Sequence, residues 1–440
     1  MSKEFILRQA KRLTSNRLVR SVAIVASGTA GAQAISLAFS PILTRLYSPE
    51  AFGILGTFLA IFAVLMPLAA FNYPMAIVLP SRDEEAICLA QLSITLGLIN
   101  ACLIAGLLWI WGDVLVALVG LETIASYMFA LPMAIGLSAL LAVAMQWVIR
   151  KKRFAFKAKI AVIQSLLVNT AKAGIGLVMP QAFVLILITT LGSGLHALML
   201  YKRESPSVRP SISISSQFPE ILGNFCRLAA QYKDFVFFRT PQAMLNAASQ
   251  GLPVVILAAT FGAAAAGLYA LGRMVLEAPA KLLGHSVATV LYPRINEAAI
   301  EGDNIFRLIF KATIALLCVG SVLFGSLIIL GPELFGWVFG AEWQQAGSFA
   351  QWLALWTLVS FAARPCVAAI PVLKLERFFL LHEIVSAVIR FSALLIGALL
   401  WGSAMAAIAL FSLANVIAYS VLIAVMLKIA KRPPAIYQQA

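Results

Sequence analysis

The chain has 440 residues, of which 62% are hydrophobic and only 12% charged; its mean hydropathy is +0.95 and its formal net charge +15. A water-soluble core cannot absorb that much apolar surface, so the chain is not a soluble enzyme, and its backbone amides must be satisfied within lipid by helices or a closed barrel. Apolar runs of about 20 residues or more, without period-two alternation, select helices.

The N-terminus carries Lys3, Arg8, Lys11, Arg12, Arg17 and Arg20 ahead of the first apolar run. This basic region is longer than that of a signal peptide and reads as a retained cytoplasmic segment. Runs bounded by charges, Gly and Pro predict helices at about 19–43, 52–79, 86–111, 124–149, 157–178 and 181–201. A polar stretch over 203–240 follows, with Ser205-Pro206-Ser207 and Arg209-Pro210, too polar to span a bilayer. Its second part, Phe218 to Phe238, mixes Phe, Leu and Tyr with basic residues and predicts an interfacial amphipathic helix. Six further runs lie at about 241–261, 266–292, 306–330, 344–371, 378–400 and 403–427. The expected organisation is an all-α integral membrane protein: a six-helix lobe over 1–202, a cytoplasmic linker over 203–240 and a second six-helix lobe over 241–440.

Basic residues test this division, because miscounting one helix would swap every later loop. Of the 33 Lys and Arg, 27 fall in connectors assigned to the cytoplasm and only Arg45 in an outer one, so both termini are placed in the cytoplasm. Basic residues that serve orientation point away from nucleic acid. The halves also echo each other at an offset of 219–224 positions. Gly112-Asp113, Gly120 and Glu122 recur as Gly331-Pro332-Glu333, Gly340 and Glu342, and Val148–Phe154 as Val372–Phe378. Repeats with an even number of helices enter the membrane in the same direction, which predicts parallel lobes with substrate between them.

No Walker A sequence is present, and Gly192-Ser193-Gly194 lies in an apolar run with no strand before it. The five cysteines form no CxxC pair and no metal-ligand spacing, so no metal site is expected. His196 and His382 read as structural or interfacial. Ionisable residues inside spans are costly and mark pathways or partners. Arg273, Glu277, Lys281 and His285 recur every four residues and form a polar stripe on the eighth helix. With Lys172, Arg364 and Arg390 they outline a cationic cavity for an anionic substrate, five basic residues against the two acids Glu277 and Glu383. The structural alternative is internal neutralisation, Glu277 pairing with Arg273 or Lys281 and Glu383 approaching Arg390. A phosphate or pyrophosphate group suits this inventory better than an organic cation, which needs unpaired carboxylates. Pro67, Pro74, Pro132, Pro253, Pro279, Pro365 and Pro371 permit kinks.

The stretch from Ser40-Pro41-Ile42-Leu43-Thr44-Arg45-Leu46-Tyr47-Ser48-Pro49-Glu50-Ala51-Phe52-Gly53, with Ala76-Ile77-Val78-Leu79-Pro80 and Asp83-Glu84-Glu85-Ala86, resembles bacterial polysaccharide-unit flippases. These belong to the multidrug/oligosaccharidyl-lipid/polysaccharide exporter superfamily. Thr240-Pro241-Gln242, Ser249-Gln250-Gly251-Leu252-Pro253, Gly267-Leu268-Tyr269-Ala270 and Phe339-Gly340-Ala341-Glu342-Trp343-Gln344-Gln345-Ala346-Gly347 extend the resemblance over nearly the whole chain. It implies a twelve-helix, V-shaped, two-lobe exporter in the bacterial inner membrane that flips undecaprenyl-diphosphate-linked oligosaccharide by alternating access during O-antigen or exopolysaccharide biosynthesis. It also implies membrane lipids as surroundings, a polysaccharide polymerase and a chain-length regulator as partners, and proton or sodium coupling without other cofactors. Glu277, Glu383 and His285 are the residues able to titrate in such coupling. The alternative within the superfamily is an ion-coupled multidrug antiporter. A membrane polymerase or glycosyltransferase would need larger extramembrane regions than these short outer connectors.

Overall fold

The computed structural model describes residues 27–204, 218–301 and 303–431, and for 115, 118, 119, 203, 204, 218–222, 281–290, 292, 293 and 299–301 the helical backbone alone. The basic N-terminal residues and the Ser/Pro half of the linker lie outside the described residues. Among the described residues the secondary structure is entirely helical. A helix over 27–46 (α1) leads into α2 (Pro49–Ala69), a tight turn (Tyr73–Val78), α3 (Asp83–Val119), a second turn (Glu122–Tyr127), α4 (Ala130–Arg150), α5 (Phe154–Gly176) and α6 (Ala182–Glu204). The second part of the linker forms α7 (Phe218–Gln231), and after it come α8 (Thr240–Glu301), α9 (Ile305–Phe339), α10 (Gln344–Ala362), the short α11 (Arg364–Ala369), α12 (Glu376–Trp401) and α13 (Ala404–Ala430).

Nine stretches among the described residues are long and apolar enough to cross a membrane. One of them, Phe235–Ala280, contains two helices, because α8 breaks at Gly262. Taking α1, α5 and both halves of α8 as spans accommodates the expected twelve. Large apolar side chains point outward along these helices, Trp109 at 91% and Trp337 at 81% exposed among them, a surface suited to lipid.

Prolines do not place the main break. Helix dihedrals persist through Pro253 and Pro279, and α8 departs from them at Gly262, with φ 84° and ψ 171°. A proline removes one hydrogen bond, which neighbouring groups in a bundle can replace, whereas that backbone conformation is open only to glycine. Elsewhere prolines do sit at breaks: α9 kinks at Leu330 just before Gly331-Pro332, and the run expected over 344–371 divides at Ala363, before Pro365. The run expected to 79 stops at Ala69, where Phe71 and Asn72 take left-handed φ of 48° and 57°.

The internal echo is visible in backbone geometry. Lys152 and Lys374, 222 positions apart, are both left-handed, with φ of 55° and 54°. Each helix end is closed by the same pair of bonds: Lys152 N–H to Ile149 and Arg153 N–H to Val148, then Lys374 N–H to Pro371 and Leu375 N–H to Ile370. This is the Schellman closure, with lysine where glycine is usual. Gly120 and Gly340, 220 apart, end α3 and α9 with positive φ.

Internal contacts divide the described chain into two compact units. One runs up to Tyr47 and resumes over Ile54–Val255; the other takes Ser48–Gly53 and everything from Ile256. In the first, α7 packs at the end of the unit that holds the turn between α2 and α3: Leu228 is buried in a core with Tyr73, Ile77, Leu89 and Trp147. Tyr73 Oη donates to the Ala229 carbonyl at 3.1 Å, and Asn72 Nδ2 donates to Thr240 Oγ1 at 3.1 Å, fixing the end of the linker.

In the second unit, three segments that carry the family resemblance meet. The first turn of α2 crosses the start of the second half of α8 so closely that a Cβ on Gly53 would lie 1.6 Å from the Ala263 carbonyl oxygen, and one on Gly267 1.9 Å from that of Pro49. Phe52 packs edge-on against the buried Trp343, with ring centroids 5.1 Å apart.

Candidate functional site

The site builds from α12, whose two faces differ. Leu381, Ile384, Val388, Leu395 and Leu399 are exposed, whereas Ser386, Leu394, Gly397 and Ala398 are buried. At 100° per residue, Glu383 and Arg390 lie on the buried side. Arg390 stands about 21 Å along the helix axis from Glu376, deep in the span, where an uncompensated charge is costly.

Arg390 is accordingly compensated. Its Nε donates to the Ser386 carbonyl at 3.0 Å, Nη1 to Asn415 Oδ1 at 3.3 Å and Nη2 to Glu383 Oε2 at 3.1 Å. Asn415 is fully buried on α13, and its amide donates to the Phe411 carbonyl at 2.8 Å, which orients the oxygen toward Arg390. Tyr419, one turn further along α13, lies within electrostatic reach of Glu383, Arg390 and Arg364. His382 stacks on Phe378 and faces Ser386 Oγ at 3.4 Å. Arg390 and Glu383 side chains keep 16% and 36% exposure, so the pair remains reachable.

On α8, Arg273 Nε donates to Glu277 Oε1 one turn away, beside the buried Tyr269 hydroxyl. Lys281 and His285 lie outside the described side chains. Arg364 is exposed at the first position of α11. Lys172 is half-buried on α5 in the first unit, where its carbonyl accepts from Tyr47 Oη at 2.8 Å. One turn earlier, Asn169 bonds Ser36 Oγ and the Ser165 carbonyl, a small polar contact between α1 and α5.

The second unit thus brings Glu383 to Arg390 and Glu277 to Arg273, with Arg364 within electrostatic reach of Tyr419. Neither Lys172 nor Arg364 has an acidic partner among the described residues, so positive charge remains in excess. Asn415 and Tyr419 are absent from the sequence-based candidates. Their one signal is polar side chains four apart in an otherwise apolar run, and neither is ionised at neutral pH.

A separate polar cluster closes the end of the first unit where the turn between α2 and α3 meets α4. Arg150 donates to the Ile77 and Pro80 carbonyls at 3.0 and 2.6 Å and to Asp83 Oδ1 at 2.9 Å. Lys151 reaches Asp83 Oδ2 at 2.8 Å. These bonds hold the α2–α3 turn to the end of α4 and give Arg150 a structural role.

Among proteins of known family, the polysaccharide biosynthesis protein family matches residues 42–348. The succinoglycan biosynthesis transport protein ExoT of Rhizobium meliloti (strain 1021) is 23% identical over 355 residues, which is 79% of this chain and 66% of that protein. The match therefore spans just under two thirds of the relative. An inward-facing multidrug resistance MATE family transporter of the MOP superfamily superimposes with TM-score 0.66 at 15% identity, covering 90% of this chain and 93% of that one. The lipid II flippase MurJ, in an inward closed conformation, gives TM-score 0.64 at 13% identity, covering 93% and 90%. These structures share the fold.

Proposed function

The chain belongs to the polysaccharide biosynthesis protein family, and on that premise we propose that it flips undecaprenyl-diphosphate-linked oligosaccharide units across the bacterial cytoplasmic membrane by alternating access. The observation that carries this reading is the excess of cationic side chains within spans, Arg390 held on the protein-facing side of its helix among them. A diphosphate supplies the oxygens that guanidinium groups bind in a bidentate manner. The relative is itself, by name, a succinoglycan biosynthesis transport protein.

Export of organic cations is the competing reading, since a multidrug transporter shares the fold. A cation needs available carboxylates, and Glu277 and Glu383 are engaged with arginines. In the flippase reading the termini are cytoplasmic, Lys172, Arg273, Lys281, Arg364 and Arg390 engage the diphosphate, and a polymerase and chain-length regulator act on the flipped unit.

Deletion of the gene is expected to abolish surface polysaccharide and to accumulate lipid-linked units on the cytoplasmic face. Arg273→Glu or Lys281→Glu is expected to fail in complementation at unchanged membrane abundance. Intact polysaccharide with altered drug sensitivity in the deletion strain overturns the proposal.

A further inference from the structure

Within the flippase reading, on which this inference rests, we propose that Glu383 is an internal counter-anion: it occupies Arg390 while the site is empty and competes with the anionic group of the substrate for that guanidinium.

Three features carry the argument. First, Arg390 is held by neutral groups independently of Glu383, through the Ser386 carbonyl at 3.0 Å and Asn415 Oδ1 at 3.3 Å. Departure of the carboxylate leaves the guanidinium positioned. Second, the carboxylate reaches Arg390 from two turns away and is the more exposed partner, 36% against 16%. It is therefore the member able to swing aside, while Arg390 stays fixed among buried groups. Third, Asn415 is buried and supplies a neutral acceptor where an aspartate of nearly the same shape would supply a second negative charge. With Glu383 aside, a carboxylate at that position would still neutralise Arg390; the amide positions the guanidinium and leaves its charge to the ligand.

The groups around the Glu383–Arg390 pair are His382 on the same helix and Asn415 and Tyr419 on α13, with Arg364 at the start of α11 within electrostatic reach of Tyr419. Glu383 thus weakens diphosphate binding relative to a bare arginine, which allows release on the far side. It also spares the empty carrier a lone guanidinium deep in the span.

The test uses the full chain in maltoside micelles, which carry no phosphate, titrated with inorganic pyrophosphate and with a short-chain prenyl diphosphate. Size-exclusion elution checks the fold of each variant. Glu383→Gln is expected to bind the diphosphates more tightly, on the order of tenfold, the scale of one charge-assisted hydrogen bond. Asn415→Asp, which gives Arg390 a second internal anion, is expected to bind them correspondingly more weakly. Unchanged or weaker binding by Glu383→Gln, with wild-type binding still lost in Arg390→Gln, overturns the counter-anion role and leaves the flippase reading in place. Absence of saturable diphosphate binding by the wild type overturns both.

Discussion

Replacing Gly53 by alanine tests the helix crossing most directly. A Cβ there would stand 1.6 Å from the Ala263 carbonyl oxygen, 2.5 Å from its carbon and 2.9 Å from the Gly267 nitrogen, all backbone atoms with no rotamer to yield. Since Cβ atoms essentially never approach within 3.0 Å of another heavy atom, the first turn of α2 and the start of the second half of α8 must part by roughly 1.4 Å. Overpacking of this kind costs about 1–3 kcal/mol, and weakening the Phe52–Trp343 contact adds roughly 0.5–1.5 kcal/mol. For a unit of this size each kcal/mol lowers the unfolding temperature by about 2–4 °C, measured by the thermal melt of purified protein in micelles. Gly267→Ala meets the Pro49 carbonyl at 1.9 Å and is expected to act alike. Because one substitution already parts the helices, the double variant should fall short of the sum. Gly106→Ala, with nothing within 4 Å, serves as the control and is expected to hold or raise stability. An unchanged melt for Gly53→Ala, or strict additivity with Gly267→Ala, would refute the reasoning.

Arg150→Ala removes the donor to two carbonyls and to Asp83, and is expected to lower stability by about 2–4 kcal/mol, Arg150→Lys by less, because lysine lacks the planar fork that reaches all three acceptors. Limited proteolysis between α2 and α3 reports this, and equal resistance of Arg150→Ala and wild type counts against it. Cys226 is exposed on α7, within the linker, whereas Cys102 and Cys318 are exposed within apolar spans. A membrane-impermeant maleimide is expected to label Cys226 in inside-out vesicles and to leave intact spheroplasts unlabelled; labelling of Cys226 in spheroplasts reverses the assigned orientation.

Much of this was legible in the sequence because lipid simplifies the problem: a span must be long, apolar and helical, so composition alone marks where helices run. The bounds expected near 261 and 330 fall at the Gly262 break and the Leu330 kink. The echo paired Gly120 with Gly340, which both follow helices with positive φ, but it set Lys152 against Glu376 rather than against Lys374, whose left-handed backbone it shares. The pairing of Glu277 with Arg273 and of Glu383 with Arg390 was foreseeable from helical spacing, since partners one or two turns apart on a helix meet whatever surrounds them.

What spacing along one helix cannot give is contact between helices. Asn415 on α13 joins Arg390 only through packing against α12, and its side chain carries no charge to draw notice. Glycines 53 and 267 stand 214 positions apart, and nothing local reveals that they replace each other's missing Cβ at one crossing. The sequence by itself determined a helical membrane protein with a few charged residues inside its spans. Only the tertiary structure decided which of those charges are compensated and by what, because hydrogen bonds are satisfied between helices whose approach is set by side-chain shape.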